Sequence, residues 1–546
     1  MRPLVPSPGR RRGDRVLVRR AEVLTGSAGG HGLRDVRIDR GYVTAVGPPG
    51  RRLERRAGEA ELDAAGGALL PGLHDHHIHL MSLAASLAST QLGPPAVTDR
   101  PAFARTLATA AAAAAAARGR GGDGWVRGIG YHPSVAGDLD RWSLDALTGD
   151  VPTRVQHRGG ALWVLNSAAL RAVGLGSGSF SWSPASSGSW SPASSGPAGS
   201  SGSSSPASSS GAAGGEGVER TAAGAPTGRL WRLDSWLATR VPRVAADLAA
   251  VGRTALAAGV TGFTDATPER RPADAEALAR AVASGALPQR LALMLPSTEP
   301  VPPGPLDPSG VGPHDARLTA GPVKIILDDT DLPSPDALAP RIRAAHRAGA
   351  AVAVHCVTRV QLVVALAAIQ EAGPDPGGRA RPADRIEHGA VIPPELAELV
   401  RAAGLTVVTQ PNFVAERGDA YLTDVDPEDL PWLYPCRSLL AAGVAVAAGT
   451  DAPFGHPDPW RAVRAATRRR TAAGALLGGD ERVDGRTALD LFLGHPDTPA
   501  RPRRIRPGLP ADLCLLRGSL DEALADPDAA RVAATLIGGT LAHTAG

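Results

Sequence analysis

From about residue 250 the chain settles into a regular alternation of short apolar β-type runs and helical stretches. The runs are Val260 to Thr264, Leu291 to Leu295, Val323 to Leu327, Ala351 to His355, Arg385 to His388, Leu405 to Thr409 and Val444 to Gly449. Helical patterns such as Asp274 to Ala283, Asp336 to Ala348, Val360 to Ala372 and Pro394 to Ala403 separate most of them. Near-continuous apolar strands alternating with helices predict a parallel sheet covered on both faces. One more strand before His77 brings the count to eight, which predicts an α/β TIM (β/α)8 barrel.

The flanking regions read differently. Residues 14–70 hold short β-rich segments, among them Val16 to Val18, Val36 to Ile38 and Tyr42 to Val46, and residues 505–546 hold two more at 511–516 and 533–537. Together they predict a small β-sandwich domain built from both chain ends. The barrel then occupies 71–504, with 81–250 as a long insertion after its first strand. Within the insertion, Ala110 to Ala117 predicts helix, and 124–128 and 162–165 read as short strands. Residues 176–215 are built from Ser, Gly, Pro and Ala, with one octapeptide repeated at 181–188 and 189–196. Such a stretch buries too little apolar surface to offset its ordering entropy and is expected to be a disordered loop.

Composition narrows the function classes. A net charge of +4 over 546 residues, with no long basic tract, argues against nucleic acid despite a pI of about 9.3. No apolar run reaches the roughly 20 residues needed to span a bilayer. Arg10 to Arg12 are followed by no signal-type apolar stretch, so a cytoplasmic location is expected. Cys356, Cys436 and Cys514 are odd in number and far apart, which suits neither a disulfide framework nor a thiolate metal site. Lys324 is the chain's only lysine. Arginine serves as surface charge but cannot become a neutral amine, so a lone lysine is a candidate for chemistry that needs one.

Polar residues recur where barrel strands end, which is where such barrels carry active sites. The apolar run Gly67 to Leu70 meets a Pro-Gly break, and His77 and His79 follow, two apart and so on one face of an extended strand. Lys324 lies on the fourth strand, with Asp328 and Asp329 after it. His355 ends the fifth, Glu387 and His388 the sixth, and Asp451 follows the eighth. Several imidazoles with a carboxylate suit a divalent ion, zinc being the expected one, and water acidified toward ~7. Asp451 is the candidate to take that proton and pass it to a leaving amine. Buried near cations, Lys324 would be a neutral amine able to form a carbamate. Few aromatics offer stacking: Trp163, Trp231, Phe413, Tyr434 and Phe454 are the candidates.

These segments resemble the amidohydrolase superfamily of metal-dependent hydrolases. The carrying residues are Pro71-Gly72-Leu73-x-Asp75-x-His77-x-His79-Leu80, Val323-Lys324-Ile325, Ala353-Val354-His355, Arg385-Ile386-Glu387-His388-Gly389, Gly449-Thr450-Asp451-Ala452-Pro453 and Pro507-Gly508-x-x-Ala511-Asp512-Leu513. The resemblance implies His77 and His79 on one metal, His355 and His388 on a second, N-carboxylated Lys324 between them, and Asp451 as ligand and proton shuttle. The nearest branch looks like the N-substituted-formamide deformylase-like group, through Trp125-Val126-Arg127-Gly128, Trp163-Val164-x-Asn166-Ser167-x-x-Leu170, Pro226-Thr227-Gly228 and Arg437-Ser438-Leu439-Leu440. Two departures, Gly159-Gly160-Ala161 and Cys356-Val357-Thr358-Arg359, fall on the expected substrate side.

Three functions follow as expectations. The first is hydrolysis of the C–N bond of an amide or N-substituted formamide, a small-molecule substrate. The second is single-metal deamination of a cyclic amidine or nucleobase-like ring, with Glu387 as proton carrier. The third is a non-catalytic binding barrel. A single-metal site from His77, His79, His355 and Asp451, with His388 as a hydrogen-bond donor, is chemically sufficient. One ion or two, and a homodimer or a monomer, stay open.

Overall fold

The computed structural model describes residues 15–24, 32–94, 96–176, 217–242, 246–297, 317–373 and 382–545. The low-complexity stretch 176–215 lies, after its first residue, outside them. The chain divides into two compact units, Met1–Ala84 with Ala246–Gly546, and Ala85–Ala245.

In the larger unit eight parallel strands lie side by side in chain order. They are β1 (Leu73–Ile78), β2 (Val260–Asp265), β3 (Arg290–Pro296), β4 (Leu318–Ile325), β5 (Val352–Cys356), β6 (Arg385–His388), β7 (Thr406–Thr409) and β8 (Ala445–Ala448). Every residue of β1, β2, β6 and β7 is buried, as expected for strands covered on both faces. Helices fill the crossovers. Pro335–Arg347 shows the local logic: Ser334 caps its first turn, Pro335 opens it, and Leu338, Ala339, Ile342 and Ala345 form the buried stripe.

The first and last strands meet at their C-terminal ends. Asp451 N donates to His77 O at 2.8 Å, and His79 N donates to Ala452 O at 2.9 Å. The buried Asp75 carboxylate accepts from Thr450 N at 3.0 Å and from Thr450 Oγ1 at 2.5 Å. Gly449 makes this approach sterically feasible, because a Cβ there would stand 2.5 Å from His77 N. The result is a nearly closed α/β TIM-type barrel.

A second sheet of the same unit draws on both chain ends. Its order is Thr540–Thr544, Val532–Ile537, Leu513–Leu516, Ala68–Pro71, Val16–Val23, Arg34–Asp39 and Tyr42–Val46, with Ala60–Asp63 beside Val16–Val23. Val18, Val36, Ile38, Leu69, Leu513 and Leu536 form its core. The apolar run ahead of the Pro-Gly break therefore belongs to this sheet, Leu70 pairing with Cys514. The barrel strand starts only at Leu73, after the break. Both strands are fully buried, and the apolar run reads the same whichever sheet it joins.

The smaller unit is a six-stranded mixed sheet in the order Val218–Arg220, Pro226–Trp231, Leu162–Leu165, Thr153–His157, Val126–Tyr131 and Thr90–Gln91. The alanine run lies inside helix Arg100–Arg118, which is capped by Asp99 and buries Phe103, Leu107, Ala111 and Ala114. Separate apolar clusters form around Phe103, Val126 and Val155 and around Trp163, Leu165 and Leu230.

Candidate metal centre

The imidazole of His77 stands at the end of β1, fully buried, and its two nitrogens have different surroundings. Nδ1 donates to Glu387 Oε2, while Nε2 is buried with no hydrogen-bond partner. A carboxylate on one ring nitrogen fixes the tautomer and leaves the other as a lone-pair donor. Burial, then the charge of Lys324, lowers the ring's pKa to about 4, so it is neutral at physiological pH.

Asp451 faces it from the turn after β8. Its Oδ1 lies 3.2 Å from His79 Nε2 and 3.6 Å from His77 Nε2. Burial alone would raise this carboxyl, but His79, His77 and His388 hold it well below the usual carboxylate range. His388 closes the group. Its Nδ1 lies 2.8 Å from Gln410 Oε1, and Gln410 Nε2 donates to Val408 O. That second bond turns the amide oxygen toward His388, so Nδ1 carries the proton and Nε2 is the free donor. Burial, then His77, lowers the His388 ring to about 3. The donor atoms of His77, His388 and Asp451 lie within 4.8 Å of one another.

The other expected residues border this triad. The His355 ring centre is 4.5 Å from that of His388, and burial keeps the imidazole neutral. His79 is held from behind, Nδ1 lying 3.4 Å from Thr267 Oγ1. Lys324 is 1 % exposed, its Nζ has no partner, and burial lowers its pKa. Its charge acts on His77, His355 and His388. Asp328 and Asp329 turn to local work, accepting from Thr330 and from Thr358 Oγ1. Phe454 packs its ring edge-on to His79 at 5.5 Å, and Phe413 packs on Tyr434. Trp163 and Trp231 belong to the smaller unit.

Two residues of this cluster occupy the left-handed region, His388 at φ 68° and Asp451 at φ 54°. Non-glycine residues there carry strain of about 1–3 kcal/mol, which clusters at functional sites.

Two contributors, Asp265 and Gln410, escape the sequence reading, and a third, Glu387, takes a part other than the proton carrier expected of it. Glu387 is spent on structure: Oε1 accepts from Arg385 Nε at 2.8 Å while Oε2 holds His77. Burial would raise it, but Arg385 and His77 keep it ionised. Asp265 ends β2 one residue beyond the apolar run. It accepts from Leu80 N at 2.8 Å, Thr267 N at 3.1 Å and Arg270 Nη2 at 2.5 Å, fixing the turn after His79. Gln410, just past β7, had the same strand-end signal as the others but is uncharged.

A barrel with a buried cluster of unsatisfied imidazole, carboxylate and amine groups at one mouth has the arrangement of a protein that can hold a divalent ion. A family model described as the amidohydrolase family matches residues 60–184 and 203–543, and the chain belongs to that family, whose members are metal-dependent. It is similar to N-substituted formamide deformylase of Arthrobacter pascens, 24% identical over 524 residues and 88% of each chain. Among solved structures it resembles an uncharacterized metal-dependent hydrolase from Pyrococcus furiosus, with a TM-score of 0.64 and 18% identity over 94% of this chain and 100% of that one. A similar hydrolase from Pyrococcus horikoshii OT3 gives 0.65 and 19%, over 97% and 100%. No helix among the described residues is long and apolar enough to cross a membrane.

Proposed function

We propose that this hydrolase cleaves the C–N bond of an amide or N-substituted formamide, using His77, His79, Lys324, His355, His388 and Asp451 to hold one or two divalent ions. One observation carries the reading. His77 Nε2, Lys324 Nζ and Asp451 Oδ1 are all buried without a hydrogen-bond partner, and buried polar atoms left unpaired in one place are costly unless something fills it. Neutral imidazoles with oxygen donors suit zinc. Such an ion supplies Lewis acidity, lowering the pKa of water toward ~7 and polarising a carbonyl.

The chain's own groups do the rest. Asp451, held ionised, accepts the proton of the attacking water and delivers it to the departing nitrogen. His388, whose one ring proton goes to Gln410 Oε1, keeps a lone pair on Nε2 and so serves as a ligand rather than a hydrogen-bond donor. Lys324, a buried amine with a lowered pKa, can lose its proton and add to carbon dioxide. The carbamate so formed presents two oxygens where the amine presents one nitrogen. The three cysteines are buried and free, in keeping with a reducing, cytoplasmic setting.

The deaminase alternative needs Glu387 as a mobile proton carrier. Both of its oxygens are engaged, by His77 and Arg385, so no observation favours that reading. The test is elemental analysis of the purified protein, followed by a screen of N-acyl and N-formyl amines. We expect bound metal, release of free amine, and loss of turnover in Asp451→Asn and Lys324→Ala. A protein that binds no divalent ion and releases no amine overturns the reading.

A further inference from the structure

The smaller unit contains a charged cluster that the hydrolase reading does not use. Strands Val126–Tyr131 and Thr153–His157 run parallel with Arg127 paired to Arg154. Leu162–Leu165 flanks the second strand, with Leu165 paired to Arg154. Two residues back from Leu165, Trp163 shares its face of the sheet. The Arg127 and Arg154 guanidinium carbons sit 5.5 and 5.1 Å from the Trp163 ring centre.

The partners of these groups are unequal. Trp163 Nε1 donates to Asp234 Oδ1 at 2.7 Å. Arg127 donates to Ala85 O at 2.9 Å and to Ser89 Oγ. Arg154 is only 8 % exposed, and its Nε is buried without a hydrogen-bond partner. Asp234 and Asp123 influence it through space only. Burial lowers both guanidiniums to about 10, so both stay charged at neutral pH.

Like charges facing each other across neighbouring strands repel, and a buried charge without a partner is unfavourable. The indole face offsets part of this through cation–π attraction, but it leaves the donor edge of Arg154 unfilled. A guanidinium fork matches a carboxylate in two parallel hydrogen bonds. Two arginines against two aspartates, Asp123 and Asp234, leave the cluster near neutral, so what a ligand meets is the unfilled donor edge of Arg154, which one carboxylate fits. A dianion would face the field of Asp234.

We propose that Arg127, Arg154 and Trp163 form a binding site for a small monoanionic carboxylate. The proposal does not depend on the hydrolase reading, and its test reads binding rather than turnover. Full-length, metal-loaded protein is titrated calorimetrically with benzoate, with chloride at matched ionic strength as control and inorganic phosphate as the dianion.

Saturable benzoate binding is expected, with phosphate no better than chloride. Arg154→Met and Arg127→Met should each weaken benzoate binding by roughly tenfold or more, since each removes charge-assisted hydrogen bonds. Ligand-free Arg154→Met should melt no lower than wild type, because it removes an unpaired buried charge. Arg154→Lys keeps the charge without the fork and should also bind weakly, which covers a methionine variant that does not fold. Wild type that binds benzoate no better than chloride, or that prefers phosphate, overturns the proposal. So does benzoate binding left intact by Arg154→Met or Arg154→Lys, which would belong to the metal centre.

Discussion

Glu387→Gln separates a side chain that orients a ligand from one that carries protons. In the native protein the carboxylate accepts two hydrogen bonds at once, from His77 Nδ1 and from Arg385 Nε, while Arg385 Nη2 donates to His76 O at 2.8 Å. Glutamine has one oxygen to share between these donors. If it faces His77, its NH2 points at a buried guanidinium; if it faces Arg385, His77 loses the acceptor that fixes its tautomer. Either way the negative charge that makes His77 a stronger donor is gone. Losing such a partner weakens metal binding about 10–100-fold, which is about 1.4–2.7 kcal/mol. The assay is competition for zinc between metal-stripped protein and a chromophoric chelator, with circular dichroism as the check on folding. Affinity within about threefold of wild type would refute the positioning role. Unchanged affinity with collapsed turnover would assign Glu387 to proton transfer and restore the deaminase reading.

Gly449→Ala would push a Cβ to 2.5 Å from His77 N; backbone cannot swing aside, so a loss of about 3 kcal/mol and of metal content is expected, read by thermal melting and elemental analysis. Asp265→Asn weakens the contact to Arg270 and loosens the turn after His79; turnover should fall about tenfold or more with the melting temperature lowered only modestly, since buried charged hydrogen bonds contribute about 1.5–3 kcal/mol. Glu416 accepts from His456 N through both oxygens, and burial raises its pKa from 4.5 to about 7. The folded state therefore keeps this proton longer than the unfolded one, and stability falls as pH rises from about 4.5 through about 7. Glu416→Gln does not titrate, so it should match wild type near pH 4.5 and exceed it at pH 8 by up to about 3 kcal/mol, seen as a pH-dependent gap between the two melting temperatures.

The candidate ligand side chains are legible because the alternation of strands and helices dictates which residues reach the barrel mouth. His355, His388 and Asp451 end or follow β-type runs of the alternation, and the parallel topology brings such ends together, while His77 and His79 lie at the end of a polar-rich strand that begins after the Pro-Gly break. What supports them is not legible. Glu387 holds His77 from 310 positions away, and nothing local distinguishes that carboxylate from a catalytic one. Gln410 works through the direction of its amide, which the Val408 carbonyl sets. The two strands around Pro71-Gly72 are both fully buried, and the apolar run ahead of the break does not itself show which sheet it joins. Gly72 marks their junction because a Cβ there would lie 2.2 Å from Thr261 Cγ2.

The solitary lysine has a practical corollary. A protease that cuts only after lysine has a single target in this chain, between residues 324 and 325, and that bond lies in β4 with Lys324 1 % exposed. Cleavage into 1–324 and 325–546 therefore requires the barrel wall to open. Its rate would report breathing of the barrel wall directly, with no label, and is expected to slow as cation is added.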